Sequence, residues 1–278
     1  MPKRAICVGI NEFKNYPSAA LKGCVNDVKD MVSILQEFQE FKEDEIITLT
    51  DSDATKKNIM DQLQGAVNDS KSGHLDHIVF SLSSHGSQVP DKDGDEKVDW
   101  ADEAFCPHDL AVKGDEWDRD YIIIDDELND LFTQLPKNVS LEIYLDTCHS
   151  GDGVRSIDFI NMRKPRWMPP PSYKAFKKIS SATVKENMSE KLLEKNITNH
   201  ILWTGCQSNQ TSADAFINGS WHGAFTYYLC KTIRDHQNNL SRMDLISEVR
   251  KTLKAEHYTQ NPQLEYDATV RDRVLSSV

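Results

Sequence analysis

The stretch Ile78-Val79-Phe80-Ser81-Leu82-Ser83-Ser84-His85-Gly86-Ser87-Gln88 decides the fold, and Leu141-Glu142-Ile143-Tyr144-Leu145-Asp146-Thr147-Cys148-His149-Ser150-Gly151 repeats its logic. Each is a short, largely apolar run that opens into a turn containing glycine, which predicts a buried strand followed by a tight turn. One turn carries a histidine and the other a cysteine. Upstream, residues 4–10 (RAICVGI) read as a buried strand, 25–38 as a helix with Val28, Met31, Val32 and Leu35 on one face, and 45–49 as a strand. A helix capped near Asp53 and running through Ile59, Leu63 and Val67 then leads into the strand at 78–82. This alternation predicts an α/β fold with a mostly parallel central sheet and helices on both faces.

Residues 89–120 interrupt the alternation with a dense acidic loop. A short strand is expected at 121–124, a helix at 125–135 whose three opening acidic residues suit its positive end, and the next core strand at 141–145. Residues 151–199 give no comparable strand signal, and 163–171 (RKPRWMPPP) are too proline-rich for an internal strand or helix. They read as an inserted connection between residues 1–150 and 200–278 of one domain. After it come a strand at 200–206, helices at 224–233 and 243–255, and a short strand around 262–265.

The 278 residues are 38% hydrophobic and carry a net charge of −12. Such a surface repels polyanions, so neither nucleic acid nor an anionic membrane is an expected partner; cationic ligands are attracted. No N-terminal stretch pairs a basic region with an apolar one as a secretory leader does, no apolar run approaches membrane-spanning length, and a cytoplasmic location is expected. The six cysteines show no disulfide-framework spacing, and Cys7, Cys206 and Cys230 lie in apolar segments as small buried hydrophobes do.

In an open parallel sheet, side chains just past the carboxyl ends of neighbouring strands converge on one crevice. If the strands ending at Leu82 and Leu145 are neighbours, His85 and Cys148 meet there. A thiol beside an imidazole is the nucleophile of acyl transfer, and the imidazolium returns a proton to the leaving amine. The amides of Gly86 and Cys148 are the candidate oxyanion donors. No third acid is placed to orient His85, and a backbone carbonyl can do so instead. Either motif alone also describes an ordinary His-Gly turn or an inert buried thiol. Metal ligation by Cys148 and His149 lacks a CxxC or His-x3-His partner.

Together SSHGSQ and DTCHSG resemble the catalytic histidine and cysteine motifs of metacaspases, caspase-like cysteine peptidases. ICVGINEF, LKGCVNDV, YIIIDDEL, GCQSNQTSADA, GAFTYYL and NPQLE agree in the same order, so the resemblance covers residues 4–265. It implies a caspase-like three-layer α/β sandwich, a His85–Cys148 dyad, a thioester intermediate, and cleavage of proteins or peptides after Arg or Lys. It places Cys24, Asp27, Ser83 and Asp146 around the pocket for the basic side chain. A carboxylate two positions before the nucleophile suits that role, since it would lie beside the scissile bond. Asp27 and Asp146 also read simply as a helix-start and a turn residue.

Many metacaspases require calcium, although some bacterial members do not; the chemistry itself needs no cofactor. The resemblance suggests Asp102, Asp125 and Asp126 as calcium ligands, hard oxygen donors suited to that ion. The fourth acid is not at its expected place, where Arg155 stands between Asp152 and Asp158, and a solvated acidic loop is the competing reading. The connection carries Arg155, Arg163, Lys164, Arg166, Lys177, Lys178 and Lys185, which makes it a candidate for self-cleavage or for a lid drawn to an acidic pocket. By the same analogy a monomeric, bare catalytic domain is expected. The alternatives are a catalytically silent caspase-like interaction module and a legumain- or gingipain-type relative with another side-chain preference.

Overall fold

The computed structural model describes residues 1–90, 101–148, 162–180, 200–207, 210–266 and 275. Its framework opens with strand β1 (Lys3–Gly9), helix α1 (Cys24–Phe38), β2 (Ile46–Thr50), α2 (Lys56–Lys71) and β3 (His77–Ser83). Thr55, two residues beyond the expected cap, starts α2: its hydroxyl accepts from the Asn58 amide at 3.2 Å. The described part of the acidic stretch holds more regular structure than expected. It contributes β4 (Gly86–Pro90), β5 (Ala101–Phe105) and a two-stranded ribbon of β6 (Val112–Lys113) and β7 (Glu116–Trp117). Residues 91–100, between β4 and β5, lie outside the description.

Next come β8 (Ile123–Ile124), which pairs with β5, and α3 (Asp125–Phe132) and β9 (Ser140–Asp146). The connection also holds structure that the sequence reading left out: β10 (Arg163–Pro165) and α4 (Tyr173–Ser180). Pro165 is compatible with β10 because β10 is the edge of a three-stranded sheet with β12 (Ala213–Ile217) and β13 (Ser220–Gly223), where a missing N–H costs no ladder bond. Strand β11 (His200–Thr204), α5 (Ala224–Asp235), α6 (Arg242–Ala255) and β14 (Gln263–Tyr266) complete the chain.

The central sheet has the order β14-β11-β9-β3-β1-β2 and is parallel except for β14. One face buries Ile59, Leu63 and Val67 of α2 with Leu128 and Phe132 of α3. The other buries Val28, Met31 and Leu35 of α1 with Leu229 of α5 and Val249 of α6. The α/β three-layer expectation therefore holds. No helix among the described residues is long and apolar enough to cross a membrane. The described cysteines are free and buried.

Candidate active site

Strands β3 and β9 are hydrogen-bonded neighbours with Ser83 opposite Asp146, so the chain leaves both at the same end of the sheet. His85 and Cys148 follow within two residues of those ends, and both are buried. The His85 Nε2 lies 2.8 Å from the Ala19 carbonyl oxygen. A carbonyl can only accept, so Nε2 carries the proton and the ring is oriented by backbone, not by a carboxylate. Nδ1 is then the nitrogen open to reaction; it makes no hydrogen bond. Burial pulls the His85 pKa down to about 4, because the imidazolium would lose its hydration. The Ala19 carbonyl, and more weakly that of Arg166, act in the opposite direction, favouring the charged ring, while the charges of Lys164 and Arg166 add to the drop.

The turn after β3 has no room for a side chain at Gly86, where a Cβ would collide with the Cys148 carbonyl. That approach aligns two amides. The Gly86 N–H and the Cys148 N–H both donate to one acceptor, the carbonyl oxygen of Arg166, at 3.0 and 3.2 Å. The thiol of Cys148 is bonded to Ser212, whose amide donates to Sγ.

Arg166 comes from the connection. Its amide donates to the Ser212 carbonyl at 3.0 Å, and beyond it the Met168 amide donates to the Gly86 carbonyl at 2.9 Å. Residues 163–168 thus run extended through the crevice, paired antiparallel to β12 on one side and bridged to Gly86 through Trp167 on the other. The Arg166 guanidinium is fully buried. Nη2 lies 2.6 Å from Asp27 Oδ2 and 3.1 Å from Asp214 Oδ1, and Nη1 3.3 Å from Asp146 Oδ2. A cavity of about 470 Å³ opens alongside, lined in part by Lys164, Pro165, Trp167 and Trp221.

Asp27 stands in the first turn of α1, and Asp146 ends β9. Asp146 is fixed by the Thr226 amide and hydroxyl at 3.0 and 2.8 Å and by the Ser212 hydroxyl. Burial raises the pKa of Asp27 to about 6, Arg166 opposing and Asp146 adding to the rise. Loss of hydration on burial, with the Asp146 charge added to it, outweighs the guanidinium and keeps this carboxyl hard to ionise beside a cation. Cys24 and Ser83 are buried close by, Cys24 at the start of the helix that bears Asp27 and Ser83 across from Asp146; the bonds that hold the guanidinium come from the aspartates.

The sequence reading missed Asp214. It lies inside the quoted GCQSNQTSADA run, and it also accepts the Lys22 and Gly23 amides at 2.9 Å each, tying β12 to the start of α1.

Of the expected calcium ligands, Asp102 and Asp125 are buried. Asp102 is buried in an ion pair with Arg119 at 2.9 Å, and no group of three or more metal-binding side chains occurs among the described residues. Asp125 and Asp126 open α3. Asp152, Arg155 and Asp158 lie outside the described residues.

A family model for the caspase domain of C14 peptidases matches residues 2–272. The chain belongs to the caspase-domain cysteine peptidases. It is 30% identical to metacaspase-1 of Meyerozyma guilliermondii, over 94% of this chain and 68% of that protein. Metacaspase-1B of Neosartorya fischeri matches at the same identity and coverage. Among solved structures, protein GSU0716 of Geobacter sulfurreducens superposes with a TM-score of 0.70 at 26% identity, over 100% of this chain and 99% of that one. Caspase-1 of Spodoptera frugiperda shares the fold, with a TM-score of 0.58 at 12% identity over 95% and 86% of the two chains. The family supplies the reaction class, a cysteine peptidase acting on proteins, and the geometry above supplies the residues to test.

Proposed function

We propose that this caspase-domain protein is an endopeptidase that cleaves after arginine, and more weakly after lysine, using Cys148 and His85. One observation carries the reading: Arg166 lies with its guanidinium among three carboxylates and its carbonyl oxygen on two convergent amides, as a substrate residue would. Arginine is favoured over lysine because a planar fork meets Asp27 and Asp214 through one nitrogen and Asp146 through the other; an ammonium cannot span them equally.

In the reaction, His85 Nδ1 takes the proton of Cys148 Sγ, and the thiolate attacks the carbonyl carbon of the basic residue. Negative charge grows on the oxygen held by the Gly86 and Cys148 amides, which are aligned before it develops. His85 then protonates the departing amine, leaving a thioester. Water attacks this thioester, delivers its proton to Nδ1, and restores the thiol as the acid leaves. The bond that occupies this position in the chain itself is Arg166–Trp167, and we infer that it is the first candidate for self-cleavage.

The test is hydrolysis of fluorogenic peptides ending in Arg, Lys, citrulline or Asp, with Cys148→Ala as control. Release from Arg and Lys peptides that vanishes in the control supports the reading. No release from any peptide would leave the silent interaction module as the better account.

A further inference from the structure

The residue three positions ahead of Arg166 is held as deliberately as Arg166 itself. Helix α6 ends with the Tyr258 amide donating to the Leu253 carbonyl at 2.9 Å and the His257 amide to the Lys254 carbonyl at 3.1 Å. His257 takes a left-handed backbone, φ 62°, at a position that usually requires glycine. The turn presents the Glu256 and His257 carbonyls at the negative end of the helix. The Arg163 guanidinium donates to both, at 2.8 and 2.7 Å, and lies 3.7 Å above the Tyr258 ring. Tyr258 is in turn braced edge-on by Tyr228 of α5, with ring centres 5.9 Å apart.

We propose that this turn, with Tyr258 as its platform, is a second guanidinium-binding subsite, so that preferred substrates carry arginine both at the cleaved bond and three residues before it. The inference rests on the arginine-endopeptidase reading and extends it along the substrate. Pairing with β12 sets the spacing: Arg163 is opposite Ala215 and Pro165 opposite Ala213. Those bonds are made by backbone, so any extended peptide replacing residues 163–168 delivers its corresponding side chain to the α6 turn. The intervening Lys164 makes a simpler contact, Nζ to the Ala20 carbonyl at 2.6 Å, which another donor could replace. At the α6 turn, two diverging carbonyls and a ring face suit a planar cation with several N–H groups; lysine offers only a point charge.

The full-length protein is assayed with four fluorogenic tetrapeptides: Arg-Lys-Pro-Arg, citrulline-Lys-Pro-Arg, Lys-Lys-Pro-Arg and Arg-Lys-Pro-citrulline. Citrulline keeps the shape of arginine and removes its charge. The first peptide is expected to exceed the second in kcat/KM by about tenfold, as expected of a partly exposed cation site, mostly through KM, with the third in between. Tyr258→Ala should bring the first three together, and Tyr258→Phe should keep them apart. Equal hydrolysis of these three by the unaltered protein overturns the subsite and leaves Arg163 as an anchor of the connection only. If none of the four is cleaved, the arginine-endopeptidase reading fails and the subsite falls with it.

Discussion

The carbonyl oxygen of Arg166 lies 3.2 Å from the Cys148 amide, and the same residue's guanidinium is 2.6 Å from Asp27. On the proposed reading, a peptide in solution competes with a residue of the same chain for the same bonds. A tethered segment competes at an effective concentration on the order of millimolar, high enough to suppress turnover of dilute substrate.

Arg166→Ala removes that competitor. Hydrolysis of arginine peptides by the variant should rise about tenfold at low substrate, on the effective-concentration argument, and no cut after residue 166 should appear in intact mass spectra. The variant should also melt at a lower temperature, because the aspartates lose the buried cation that offsets them. Unchanged peptide turnover would argue against competition at the site.

Gly223 tests the pocket from the opposite direction. A methyl there would strike Asp146 Oδ2 and Arg166 Nη1, so Gly223→Ala closes the space the guanidinium fills. Arginine peptide hydrolysis should fall by about a hundredfold or more, the scale of losing a charge-assisted bidentate contact. Alkylation of Cys148, followed by peptide mapping, should become faster because the same clash loosens the Arg166 segment. Slower alkylation together with slower hydrolysis would point to general damage instead.

Asp27 sets an acid limit. With the Arg166 guanidinium beside it, its pKa stands at about 6, raised by burial, so lowering the pH through 6 neutralises a carboxylate of the proposed arginine pocket. Activity on arginine peptides should fall on the acid side of about pH 6 in both kcat and kcat/KM, because a guanidinium, that of Arg166 or that of the peptide, stands beside Asp27 in either state. Asp27→Asn should remove this limb and raise KM. A wild-type limb that persists in Asp27→Asn would assign it to another group.

The sheet and its two reactive turns were legible because strand periodicity and glycine placement are local signals. The stretches 78–88 and 141–151 carry enough of both to put His85 and Cys148 at adjacent strand ends. Asp27 and Asp146 came from motif resemblance, and the structure joins them through Arg166. Asp214 and the Ala19 carbonyl were not legible: the first acts across a contact with residues 22–23, the second through backbone that carries no side-chain signature. Proline and basic residues made 163–168 look irregular, yet an edge strand needs only part of its N–H groups. Its partner β12 belongs to a hairpin for which the sequence showed no separate signal.

Glu142 is another residue that local pattern hid, a charge inside the apolar run of β9. It is fully buried; Oε1 accepts from the Trp203 indole at 2.9 Å, and Oε2 is 3.4 Å from the Arg242 guanidinium. Glu142→Gln keeps an acceptor for Trp203 and removes only the charge that balances buried Arg242. It should cost about 3 kcal/mol, the scale of breaking a buried ion pair from one side, read as a lower urea midpoint at unchanged slope. Arg242→Met should cost a similar amount by exposing Glu142 to the same imbalance. The double variant should lose less than the sum of the two, by about 1 kcal/mol or more, since the second change removes a charge the first left uncompensated. Additive losses would mean that each side chain is held by its other partners and that the pair contributes little as a pair.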